Sequence, residues 1–144
     1  MELSTKKARP RLTFEIFIPE QAAPISKMMQ TVDVLRSAKP DFVLATADHR
    51  HGTGLERAVE FASMIQSEGG IPGAVLIPSI CYTRTRLKLQ LQQMKRRGIT
   101  RILAVRGDGM RPDFEHADFP SAAELIEFCL LYTSPSPRDR TRSR

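Results

Sequence analysis

Short apolar runs alternate with amphipathic segments along most of the chain. The runs have the length and the β-branched and aromatic content of buried strands, whereas the segments between them repeat apolar residues every three or four positions. Predicted strands cover residues 12–18, 42–46, 74–77 and 100–105. The first predicted helix begins at residue 25 and ends before residue 39, the second covers 53–67, the third covers 83–97, and a fourth begins at 121. Four βα units of this kind predict a parallel sheet covered by helices.

The residues alone leave two α/β architectures open, a doubly wound open sheet and a (β/α)8 barrel. A doubly wound sheet often binds its ligand over a glycine-rich first turn, but Pro-Glu-Gln at 19–21 follows the first strand here. A barrel places its active site at the carboxyl ends of the strands. In a barrel, that face would hold three parts of this chain: Thr46, the segment after Ile77, and residues 106–108.

Two carboxylates accompany these strands. Glu15 lies inside the first strand, and Asp108 follows the fourth strand directly after Gly107. Because an acid among bulky apolar residues is costly to bury, it usually has a partner or a function. Glu15 is therefore expected to have either a function or, as an interior carboxylate, a buried Arg or Lys as its partner.

Composition and charge limit the class of protein. At 144 residues and 41% hydrophobic content the chain can form one globular domain. The net charge of +6 comes from the two ends, since residues 12–128 hold 14 basic and 14 acidic groups. We therefore expect neither nucleic acid nor a membrane as a partner, and a cytoplasmic location because no secretory signal is recognised. His49 and His51 have no third ligand nearby, so no metal site is predicted.

The two ends of the chain are expected to lie outside the barrel. Residues 1–11 form a basic tail that we expect to be disordered. Residues 129–139 resemble the translation of a transposase adapter used in sequencing libraries, so residues 129–144 are predicted to be non-native. A natural Ser/Pro/Arg-rich tail is the alternative interpretation.

Five segments, in order, resemble the methylenetetrahydrofolate reductase family. Residues 14–19 are similar to its Phe-Glu-Phe-Phe-Pro-Pro signature, and residues 39–46 to its second strand. Residues 52–57 resemble the Gly-Ser-Thr-Arg-Glu-Arg run that opens the second helix. Residues 98–108 are similar to Gly-Ile-x-x-Ile-Leu-Ala-Leu-Arg-Gly-Asp, and residues 119–126 to Phe-x-Tyr-Ala-Ser-Asp-Leu-Val in the fourth helix. The resemblance implies that residues 12–128 are the first four βα units of a (β/α)8 TIM barrel, here incomplete.

The resemblance also implies a function and a set of site residues. The family reduces 5,10-methylenetetrahydrofolate to 5-methyltetrahydrofolate with NAD(P)H through FAD, in one-carbon and methionine metabolism, and the complete protein is expected to be a homo-oligomer. Glu15 falls on the catalytic acid, which protonates a folate nitrogen and which we expect to be desolvated by its apolar neighbours. Asp108 falls on the aspartate that binds the pterin and tunes the flavin. Cofactor-binding positions by the same matching are Thr46, Ala47, His49, Arg106, Gly107, Asp108 and Ala122.

Two departures from the family pattern lie at the same strand ends. The family has Tyr-Gly-Ala where this chain has Ala47, Asp48 and His49, and its third strand carries a histidine where this chain has Leu76. An alternative function is therefore a divergent barrel that binds a pterin or another one-carbon carrier without the standard flavin reductase activity.

Overall fold

Strands and helices alternate along the chain, as the apolar pattern predicts. The computed structural model describes residues 10–19, 25–49, 53–107 and 118–133. The elements are β1 (Thr13–Ile18), α1 (Ile25–Arg36), β2 (Phe42–Ala47), α2 (Gly54–Ser67), β3 (Gly73–Pro78), a short 3-10 helix (Ser79–Cys81), α3 (Arg84–Arg96), β4 (Arg101–Val105) and α4 (Ala122–Thr133). The 3-10 helix was not predicted, because three residues are too few to show a period.

The strands form one parallel sheet in the order β1-β2-β3-β4. Because parallel crossovers are right-handed, strands added in sequence order on the same side place all their helices on one face. A doubly wound sheet instead reverses its strand order and covers both faces. The predicted α/β class is confirmed, and the sequential order is the one that the first units of a (β/α)8 barrel require.

The hydrophobic core lies between one face of the sheet and the helices. Alternate residues of each strand point into it, as the two-residue period of a strand dictates. The buried apolar residues at its centre are Ile18, Val43, Ala45, Ala47, Val75 and Ile77 from the strands, with Leu55, Ala58, Val59, Phe61, Ala62 and Ile65 from α2. Helix α2 therefore forms the main cover over β2 and β3.

The other face of the sheet is not covered by any helix or strand that the structure describes. Its side chains, which we call the open face, are Glu15, Phe17, Leu44, Thr46, Leu76 and Leu103. Phe17 is 59% exposed and Leu103 is 47% exposed, which is unusual for large apolar side chains on a sheet. In a closed barrel the corresponding face lines the interior and is filled by side chains from the other strands.

Helix α4 extends beyond the predicted junction at residue 128. It continues to Thr133, and both Phe128 and Cys129 are buried against the core. The proposed foreign origin of residues 129–144 stays a prediction, as do the domain boundaries; residues 1–9 lie outside the described residues. Within the described parts of the chain, no helix is long and apolar enough to cross a bilayer.

Candidate active site at the carboxyl ends of the strands

Apart from Glu15, which lies within β1, the predicted site residues that the structure describes lie at two strand ends and one helix start. Thr46 and Ala47 end β2, and His49 follows two residues later. Arg106 and Gly107 follow β4, and Ala122 is the first residue of α4. Because the strands are parallel, the ends of β2 and β4 lie at the same edge of the sheet. Asp108 lies outside the described residues.

Glu15 and Thr46 are brought together on the open face. The Thr46 hydroxyl donates a hydrogen bond to Glu15 Oε1 over 2.9 Å. The register explains the contact: Thr46 lies opposite Phe17, two residues along β1 from Glu15, so the two side chains are diagonal neighbours. The expected desolvation of Glu15 is absent in this chain, where the side chain is exposed, because no described element covers the open face.

The turn after β4 is bound to the 3-10 helix after β3. The Arg106 carbonyl accepts hydrogen bonds from the Ile80 N–H at 3.2 Å and from the Ser79 hydroxyl at 3.3 Å. Gly107 has a φ of +97°, and a Cβ there would lie 3.0 Å from Pro78 Cβ. A glycine is therefore required by the packing of the chain itself, before any ligand is considered.

His49 forms a buried pair with Tyr82, which the sequence analysis did not identify. His49 Nδ1 and the Tyr82 hydroxyl are hydrogen-bonded, and the two rings meet edge to face at 89° with their centroids 5.5 Å apart. The exposed fractions are 7% for His49 and 1% for Tyr82. Burial lowers the pKa of His49 to about 4, although the Asp48 carboxylate opposes the shift. The imidazole is therefore neutral near pH 7.

Tyr82 is in turn held by the beginnings of two helices. The backbone N–H of Leu55, in the first turn of α2, donates a hydrogen bond to the Tyr82 oxygen. Arg86 of α3 lies over the Tyr82 ring at 5.7 Å and forms an ion pair with Glu56 of α2 at 3.1 Å. Burial is the main cause that raises the pKa of Tyr82, so its hydroxyl keeps its proton. The only sequence signal was an aromatic residue just after the third strand, in a chain with two tyrosines.

The chemistry of these groups suits an uncharged, flat ligand with polar atoms at its edge. The open face offers apolar surface from Leu76 and Leu103. His49 Nε2 is a buried polar atom that has no hydrogen-bond partner among the described residues. Those residues also contain no group of three or more His, Cys, Asp or Glu side chains that could hold a metal ion.

The free energy of unfolding is expected to decrease as the pH is lowered, because of His49. Below its usual pKa of 6.5, the imidazole binds a proton in the unfolded chain, whereas in the folded chain it stays neutral to about pH 4. Lowering the pH from 7 to 4 should therefore cost up to about 3 kcal/mol of the free energy of unfolding. Urea unfolding over this pH range measures the slope. His49→Gln is the control and should flatten it; parallel slopes for the two proteins would contradict the assignment.

Comparison with known proteins agrees with the fold and the motifs. The chain is 29% identical over 128 residues to a 5,10-methylenetetrahydrofolate reductase of Pectobacterium carotovorum subsp. carotovorum, an alignment that covers 86% of this chain and 43% of that relative. The chain thus spans less than half the length of the curated relative it matches. The family model for methylenetetrahydrofolate reductase matches residues 1–131. Since this match includes all four βα units, the chain belongs to the methylenetetrahydrofolate reductase family.

Proposed function

We propose that this chain supplies the first half of the active-site barrel of an oxidoreductase that reduces 5,10-methylenetetrahydrofolate to 5-methyltetrahydrofolate with NAD(P)H. The observation that carries the proposal is the hydrogen bond from Thr46 to Glu15 on the open face. The Glu15 carboxyl group thus lies on the face that lines the interior of a closed barrel, opposite Leu44 and three residues before the end of β2. Family membership supports the reaction class.

The reduction consumes one hydride and one proton, and this chain provides a candidate donor for the proton. Opening the methylene bridge of the folate requires protonation of a ring nitrogen, which a positioned carboxylic acid can perform. Because the Thr46 hydroxyl donates to Glu15 Oε1, that oxygen is occupied as an acceptor. The transferable proton of Glu15 would then reside on Oε2. Thr46 thus orients the acid and directs its second oxygen toward the substrate.

The residues at the strand ends fit a flavin. FAD, when bound, would carry the hydride from NAD(P)H to the folate. Leu76 and Leu103 would contact the flat ring, and the His49 Nε2 would hydrogen-bond a polar atom at its edge. The Arg106–Gly107 turn is held in place by the 3-10 helix and would approach the cofactor with its backbone. Asp108 and Ala122 stay proposed cofactor positions by family matching, with Asp108 also proposed to bind the pterin.

The cellular setting follows from the reaction. We propose a cytoplasmic enzyme of one-carbon and methionine metabolism, with folate as its substrate, and a homo-oligomer at full length. Neither nucleic acid nor a membrane is proposed as a partner. These assignments rest on family membership and on the balanced charge of residues 12–128.

A second function is favoured by the two departures at the strand ends. Leu76 cannot hydrogen-bond a flavin, and Ala47, Asp48 and His49 replace an aromatic residue and a glycine of the family pattern. A barrel with these changes would still present Glu15 and Thr46 to a pterin. The alternative is therefore a protein that binds a pterin or another one-carbon carrier without flavin-dependent reduction.

The visible spectrum distinguishes the two functions when the protein is prepared at the full length of its relatives. The reductase should be yellow as purified, should bleach with NADH or NADPH under anaerobic conditions, and should regain colour on addition of 5,10-methylenetetrahydrofolate. A colourless protein that still binds the folate supports the alternative. A yellow protein that bleaches but is not reoxidised by the folate would contradict the proposed substrate.

A further inference from the structure

His49 leaves one buried polar atom unexplained. Its side chain is 93% buried, Nδ1 is occupied by Tyr82, and Nε2 has no hydrogen-bond partner among the described residues. A buried polar group without a partner costs about 1–3 kcal/mol. Such a group is seldom kept in a folded protein unless something binds it. The atom lies two residues beyond the end of β2, at the edge of the sheet where Thr46 also lies.

The hydrogen bonds around Tyr82 favour one of the two neutral forms of the His49 ring. The Tyr82 oxygen accepts from the N–H of Leu55, so its own hydrogen is available to be donated to Nδ1. A neutral imidazole that accepts at Nδ1 carries its hydrogen on Nε2. The low pKa of His49 keeps the ring neutral, and the high pKa of Tyr82 keeps the hydroxyl protonated. When Tyr82 is the donor to Nδ1, His49 Nε2 is itself a hydrogen-bond donor.

We propose that Tyr82 is a positioning residue that holds His49 in the Nε2–H form, so that Nε2 donates a hydrogen bond to a carbonyl oxygen or ring nitrogen of the flavin. The inference rests on the proposed function and goes beyond it. The family pattern has alanine at the position of His49, and Tyr82 belongs to none of the matched motifs. His49 would thus give this chain a side-chain donor just after β2. The family pattern has its histidine on the third strand instead, where this chain has Leu76.

The charges around His49 favour an uncharged acceptor over a phosphate. Asp48 is its immediate neighbour, and Glu56 lies close to Tyr82. Arg86 is already paired with Glu56. Carboxylates would repel the phosphates of a cofactor, and a neutral imidazole provides no charge to attract them. A carbonyl oxygen of the flavin ring carries partial negative charge only, so it is compatible with this environment.

The first experiment reads the tautomer directly. Protein at the full length of its relatives is labelled with ¹⁵N in the histidine rings, and the two ring nitrogens of His49 are assigned by the loss of their signals in His49→Gln. We expect the Nε2–H form from pH 5 to 8 and a mixture of tautomers in Tyr82→Phe. An Nδ1–H form in the unsubstituted protein would overturn the inference, even if Tyr82→Phe failed to fold.

The second experiment adds FAD to the same labelled protein, from which bound flavin has been removed. We expect the His49 Nε2 signal to shift on binding and the Kd for FAD to rise roughly tenfold in Tyr82→Phe, as for loss of one well-placed hydrogen bond. FAD binding with no change at Nε2 would overturn this inference while leaving the proposed function intact. No binding of FAD by the unsubstituted protein would instead overturn the proposed function, and with it the acceptor named here.

Discussion

Replacement of Glu15 by glutamine should lower the rate of folate reduction by roughly 10²-fold or more, the usual contribution of a general acid. Glutamine keeps the shape of the side chain and can still accept the hydrogen bond from Thr46, but it has no carboxylic proton to give. Reduction of the flavin by NAD(P)H needs no such proton and should proceed at its normal rate. Stopped-flow measurement of the two half-reactions, in the protein at the full length of its relatives, separates these effects.

Substitutions at Thr46 provide the matched control for that result. Thr46→Ser keeps the hydroxyl that donates to Glu15 Oε1, whereas Thr46→Val removes it at nearly the same volume. We expect Thr46→Val to slow folate reduction by roughly tenfold, since the hydrogen bond that orients the acid is lost, and Thr46→Ser to have little effect. Full folate reduction in Glu15→Gln would contradict the role of Glu15 as the acid and leave it a structural carboxylate.

Replacement of Gly73 by valine should unfold the chain. A Cβ at this first residue of β3 would lie 2.4 Å from the backbone oxygen of Ala62 in α2, closer than two such atoms can approach. Relief requires β3 and α2 to separate, and their contact is the centre of the hydrophobic core. The expected loss is about 4 kcal/mol or more of the free energy of unfolding, which is a large part of a typical domain's stability.

Gly70→Asn is the control for that substitution, three residues earlier. Gly70 has a φ of +65° and no atom within 4 Å of a Cβ built there. Asparagine tolerates this left-handed conformation better than most residues, so the expected loss is below about 1 kcal/mol. Urea unfolding followed by circular dichroism compares the two variants. Equal losses would show that glycine is needed at 73 for backbone freedom rather than for the close approach of α2.

The order and approximate bounds of the strands and helices could be predicted from the local pattern of apolar residues. Strands 42–46 and 74–77 were predicted, and β2 and β3 are Phe42–Ala47 and Gly73–Pro78. The agreement is physical: strands buried on a helix face need apolar runs, and amphipathic helices need apolar residues at every third or fourth position. No C-terminal end was predicted for α4, because the helical pattern that begins at 121 continues into the segment interpreted as foreign sequence.

The candidate site was predicted less completely, because its contacts join residues distant in sequence. Glu15 and Thr46 were each assigned by family resemblance, but their hydrogen bond depends on the register of β1 against β2. The partnership of His49 with Tyr82 spans 33 positions and three elements. No periodicity or spacing rule indicates which nitrogen of a histidine will be bonded, or by which hydroxyl.

The amino-acid sequence by itself therefore determined the alternation of elements, the parallel sheet and the family, because these depend on local periodicity and on short runs of residues. Only the tertiary structure decided the chemical state of the site. It left Glu15 exposed on the open face beside Thr46, required glycine at 107 through contact with Pro78, and buried His49 in a hydrogen bond with Tyr82. Burial and hydrogen-bond partners determine protonation, and both are properties of packed neighbours rather than of sequence position.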